Sequence, residues 1–190
     1  MRNKRNYNLT LALSIAAFFV APGLRAASKP TGTSALAAAP DAADRITREV
    51  RHELVLQPYY GVFDDLRYSV NGSVVSLYGS VTKPALKSDC ENAVKRIDGV
   101  SQVDDQIKVL PPSSMDDQIR LAEYRAIYSR PGLNVYAMRA VPSIHIIVAG
   151  GHVTLEGVVT NQADKNLAGI AADGVDSVFS VDNNLSLEDR

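Results

Sequence analysis

One cysteine, Cys90, stands in 190 residues. No intramolecular disulfide can form, and a cysteine-based zinc site or a disulfide-stapled mini-fold is excluded. Folding must rest on burial alone. An excess of either charge is also missing: 20 basic residues face 21 acidic ones, for a formal charge of −1. Histidine is scarce, with three residues, and the Gly-rich spacing of nucleotide-binding loops is absent. What remains is ordinary for a globular chain: 46% hydrophobic and 22% charged residues exclude wholesale disorder and a collagen-like fibre.

The first residues do not read as part of a fold. Arg2, Lys4 and Arg5 precede an apolar run from Leu9 to Val20, and small residues follow at Ala21, Gly23, Ala26 and Ala27. This is the pattern of a cleaved secretory signal peptide over residues 1–27. The run falls short of the roughly 20 residues that span a bilayer. No cysteine stands near the cleavage region, so the lipid anchor of a bacterial lipoprotein is not expected, and the periplasm is the expected compartment. Cleavage removes Arg2, Lys4, Arg5 and Arg25 and no acid, so the formal charge moves from −1 to −5. A mildly acidic chain has no global attraction for nucleic acid, and no nucleic-acid partner is expected.

Residues 28–43 are rich in Ala, Ser, Thr, Pro and Gly and read as a flexible leader. Beyond them the chain repeats itself. Val70–Thr82 aligns with Val148–Thr160 at an offset of 78, and the register holds through Ala85 and Ala163, Ala93 and Ala171, and Asp104 and Asp182. Upstream, Ile46 matches Ile119 and Pro58 matches Pro131 at an offset of 73, so the second copy carries about five extra residues between Gly132 and Ser143. The two modules span residues 44–110 and 116–190, joined by a proline-stiffened linker at 111–115.

Each copy carries the same periodicities. Ile46, Val50 and Leu54 form one stripe of a helix from about Asp44 to Leu56, whose counterpart begins near Asp116. Leu66, Tyr68 and Val70, then Val75 and Leu77, alternate with polar residues around an Asn71-Gly72 turn, which predicts a hairpin. Ile144, Ile146, Val148, Val153 and Leu155 do the same around Ala149-Gly150-Gly151. Thr82 and Thr160 stand as N-caps of a second helix, with a stripe of Leu86, Cys90, Ala93, Val94 and Ile97, or of Ala168, Ala171, Ala172 and Val175. A last strand runs through Val103, Ile107 and Val109, or Val181, Leu185 and Leu187. The expected class is α+β: two tandem αββαβ modules, each a three-stranded mixed sheet packed on two helices, its other face polar or docked on a neighbour.

Asn71-Gly-Ser-Val-Val-Ser-Leu-Tyr-Gly-Ser-Val81 and Gly151-His-Val-Thr-Leu-Glu-Gly-Val-Val159, with Gly99–Asp104 and Val178–Leu185 before the last strands, resemble the BON domain in its paired, osmotically inducible periplasmic form. The resemblance implies no catalytic residue, no cofactor, and binding at phospholipid membranes in support of envelope integrity under osmotic stress. An alternative is a protein-interaction or assembly module that pairs through exposed sheet edges with other envelope proteins.

Gly79 and Gly157 read as structural positions at which a side chain would obstruct the following turn. His145 and His152 lack a third ligand for a metal, and alternation points His145 to solvent near Thr154 or Glu156. Cys90 reads as core. Two clusters suit a lipid surface. Arg45, Arg48 and Arg51 form a ridge opposite the apolar stripe of the first helix, diluted by Glu49 and Glu53 and also readable as a solvated face. Tyr136, Met138 and Arg139 lie in the inserted segment, as an amphipathic tip or as a core-filling loop.

Overall fold

The structure, a computed structural model, describes residues 38–188; the expected signal peptide and most of the leader lie outside the described residues. Helix α1 spans Ala38–Val55, hairpin strands β1 and β2 span Asp65–Asn71 and Val74–Val81, and α2 spans Pro84–Lys95. A broken last strand follows as β3, Gln102–Asp105, and β4, Lys108–Val109. The series repeats with α3 at Ser114–Tyr128, a 3-10 turn at Asn134–Ala137, β5 at Ile144–Ala149 and β6 at His152–Val159. Helix α4 at Gln162–Asp173 and strands β7 at Ser180–Asn183 and β8 at Ser186–Leu187 complete it. No described helix is long and apolar enough to cross a membrane.

In each module the hairpin is antiparallel and the last strand runs parallel to the central one: β3 and β4 beside β2, and β7 and β8 beside β6. That is the mixed sheet a helix crossover dictates. One face of each sheet is buried beneath its own helices. Ile46, Val50, Leu54, Val75, Leu77, Leu86, Cys90 and Val94 form the first core. Ile119, Ile127, Ile144, Ile146, Leu155, Ala168 and Ala172 contribute to the second. Burial pushes the Cys90 thiol up to about 12, helped by Asp105, Asp89 and Asp64, so this cysteine is an apolar core residue and not a nucleophile.

Several local expectations are corrected. Helix α1 begins at Ala38, inside the segment read as leader; alanines favour the helix, and Pro40 falls in the first turn, where its missing N–H has no partner to lose. The first hairpin turns at Gly72-Ser73, one residue later than expected, because Asn71 pairs with Val74 and only Gly72 takes positive φ. The second turns at Gly150-Gly151, both at positive φ. The caps are Lys83 and Asn161, each one residue beyond the expected threonine. Asn161 accepts the Asp164 N–H, whereas Thr82 gives both its N–H and its hydroxyl to the buried Asp64 carboxylate, at 2.7 and 2.9 Å.

The last strands break opposite Gly79 and Gly157, which take φ of 114° and 119°. A Cβ at either position would strike a backbone carbonyl beside it, that of Asp65 in β1 or that of Ser143 just before β5, so the obstacle is the neighbouring chain segment and not the following turn. Ile107 and Leu185 fill the core from within the break, while Val109 and Leu187 are exposed.

Candidate functional site

The two modules meet edge to edge. The segment between α1 and β1 runs along the free edge of β5: Tyr60 stacks on His145 with centroids 5.4 Å apart and planes 7° from parallel, and the Ile146 N–H donates to the Val62 carbonyl at 2.8 Å. Val62 and Phe63 pack against the second core, and Phe63 lies edge-on to Tyr124. His145 is therefore buried, and its expected solvent exposure is overturned by a loop 85 residues away. Its Nδ1 lies 3.3 Å from the Gly61 carbonyl, which can only accept, so Nδ1 carries the proton and Nε2 faces the Tyr60 hydroxyl at 3.4 Å. Burial holds the imidazole below its ordinary pKa, against the Gly61 contact and the Asp64 and Glu156 charges. Burial, and then the Asp65 charge, likewise keeps the Tyr60 phenol protonated. The docked pair is neutral on both sides.

Beside this contact a groove of about 570 Å³ runs between the modules. Leu54, Val55 and Leu66 line it from the first module, Val141, Pro142 and Val158 from the second, and it includes Arg51 and Arg139. Both arginines are exposed, and neither forms a salt bridge among the described residues. Apolar surface continues outside it at Leu56, Tyr59 and Met138, the last 82% exposed. The arrangement offers an apolar floor bordered by two positive charges, which suits an amphiphile carrying an anionic group.

Among the six residues expected at a lipid contact, the structure brings Arg51 and Arg139 together. Arg45 is spent on Glu49 at 3.0 Å and on the Asp98 carbonyl at 3.0 Å, and Arg48 is exposed but does not line the groove. Tyr136 is corrected to a core residue: its hydroxyl donates to Asp164 at 2.6 Å and accepts the Thr160 N–H at 2.9 Å, tying the inserted turn to the start of α4. Tyr60, His145 and the aliphatic walls escape sequence reading, since only the docking of two segments distant in the chain assembles them. No group of three His, Cys, Asp or Glu suited to a metal occurs among the described residues.

The second module holds two further polar features on α3. Asp116 is 2% exposed and accepts the Gly150 and Gly151 N–H groups, each at 2.9 Å, so the helix start clamps the hairpin turn. Burial opposes its charge, but these two amides, Arg120 and Ser113 outweigh it and hold the carboxyl below its ordinary pKa. Glu123 is fully buried, and neither carboxyl oxygen has a hydrogen-bond partner.

No curated protein matches this sequence. Two matching solved structures represent CdsD, a structural protein of the type III secretion system of Chlamydia trachomatis, each 14% identical over 76% of this chain. One covers 92% of that chain with a TM-score of 0.29; the other, a C-terminal domain, covers 98% with a TM-score of 0.27. The BON domain matches residues 42–111 and 133–189, the second stretch beginning beyond α3, the helix whose buried stripe is interrupted by Glu123. With one match in each αββαβ module and most of the chain covered by the two, this chain belongs to the BON domain family.

Proposed function

We propose that this chain is an exported, non-catalytic envelope protein that associates with anionic phospholipid through the groove between its modules and supports envelope integrity under osmotic stress. The observation that carries this reading is the convergence of Arg51 and Arg139, one from each module, on a single apolar groove. The BON domain is linked to phospholipid binding, and the basic, apolar and small-residue order of residues 1–27 supports export to the periplasm. Each arginine near an anionic surface contributes about 1 kcal/mol, so two together change affinity by roughly thirtyfold.

Co-sedimentation of the processed chain with vesicles tests the reading. Anionic vesicles bind at low salt, zwitterionic ones bind weakly, and Arg51→Gln with Arg139→Gln lowers anionic binding by roughly thirtyfold. Binding to neither vesicle, or binding indifferent to the double substitution, refutes it.

A further inference from the structure

Glu123 has no role in the groove, yet it is the most unusual residue in either core. At the offset of 73 that pairs Ile46 with Ile119, it occupies the place of Val50, which is also fully buried. It stands one turn from Ile119 and one turn from Ile127 on the stripe that α3 turns to the core. Helix α4 is smaller to match: Cys90 and Val94 of α2 are replaced at the offset of 78 by Ala168 and Ala172. The second module has thus exchanged aliphatic volume for a carboxyl group.

Among the described residues no cation forms a salt bridge with that carboxyl. Helix α4 contributes Asp173, a like charge. On α3 itself, Arg120 bonds Asp117 and, at 2.6 Å, the Val148 carbonyl through its two terminal nitrogens; its buried Nε has no partner, and it forms no salt bridge to Glu123. Tyr128 donates to the Ile144 carbonyl, and Tyr124 packs against Tyr128 and Phe63. The inserted 3-10 turn presents Tyr136, already bonded to Asp164. Strands β5 and β6 present Ile144, Ile146, Val148, Val153 and Leu155 to this core. A neutral acid tolerates such a site; an ionised one, unpaired and out of water, does not.

We propose that Glu123 is a protonation latch of the second module: as a neutral acid it seats α3 against α4 and the sheet, and its ionisation unseats that helix. Burial, and then the Asp173 charge, raises its pKa to about 8, which puts the transition in mildly alkaline solution. Because α3 leads directly into the segment that brings Arg139 to the groove, the latch also alters the groove, a consequence that rests on the membrane reading above. The latch itself does not depend on that reading.

Amide hydrogen exchange on the full chain between pH 6.5 and 9.5, corrected for intrinsic exchange, separates the two. Protection of α3 is expected to fall at least tenfold across this range while α1, with Val50, stays level. Glu123→Val, which restores the first module's residue, removes the loss; should that variant not fold, Glu123→Gln serves, since it cannot ionise. Unchanged α3 protection in the parent chain, an equal loss in α1, or the same loss in the variant overturns the latch. Vesicle binding, measured separately, reports only on the groove.

Discussion

Replacing Asp116 with alanine tests how the second module ties helix to hairpin. The carboxylate holds two N–H groups of different exposure: Gly151 is buried, whereas Gly150 is exposed. A hydrogen bond to a charged group nets about 1.5–3 kcal/mol, and a released amide that meets water forfeits less than a buried one. The loss at Gly151 therefore dominates, and Asp116→Ala is expected to cost about 3 kcal/mol. Asp116→Asn keeps one acceptor for Gly151 and turns an amide nitrogen toward Gly150, so about half of that loss is expected. Urea titration followed by circular dichroism gives the total, and exchange at the Gly150 and Gly151 amides locates it. Acid gives a third reading. A carboxyl whose folded pKa is depressed contributes stability that is complete above its unfolded pKa of about 3.9 and is lost as pH falls through the folded value. A stability change under about 0.5 kcal/mol in Asp116→Ala, or a Gly151 amide as protected as before, refutes the clamp.

Gly157→Ala and Gly79→Ala combine positive-φ strain with a blocked carbonyl, so each is expected to cost about 3 kcal/mol or more, whereas Gly72→Ala, at positive φ but in open space, costs about 1 kcal/mol; thermal melts rank the three. For His145, whose folded pKa is lowered, docking is expected to be strongest above the ordinary imidazole pKa of 6.5 and to weaken as pH falls below it, an expansion visible by small-angle scattering and absent at neutral pH. Glu123 has the opposite sign: the folded state keeps a proton the unfolded chain gives up near 4.5, so stability falls by up to about 1.4 kcal/mol per pH unit between there and about 8, a slope that Glu123→Gln flattens in urea titrations at stepped pH.

The periods of 3.6 and 2 expose the stripes Ile46-Val50-Leu54 and Leu86-Cys90-Val94 and the inward strand residues, because burial on one face imposes them. The register between copies does the same for topology. What escapes is set by contacts a single period cannot encode. The break in the last strand falls opposite Gly79 or Gly157, whose backbone lies against the carbonyl of Asp65 or Ser143, and the burial of His145 arises from Tyr60, far away in the chain. The cap moves from Thr82 to Lys83 because Asp64 captures the threonine. Half of the arginine pair at the groove lay in each of two separate sequence clusters, and nothing in either cluster reveals that Arg51 and Arg139 share a wall with Pro142 and Val158. Glu123 differs, since the offset of 73 sets it against Val50 in plain view.

The divergence of the copies follows one physical rule. At paired positions the first module keeps an aliphatic core residue, Val50, and a surface cation, Arg67, which is exposed; the second has Glu123 and His145, both buried. Each of these is tolerable only while uncharged, the imidazole against the Tyr60 ring and the acid beneath α4. Acid charges the first and alkali charges the second, so the docked, seated form of the second module occupies a pH window bounded on both sides by its own side chains. The first core contains neither group. Substituting both Glu123 and His145 should therefore leave the first module's exchange unchanged while widening the window of the second, and a widening that appears equally in both modules would locate the pH response elsewhere.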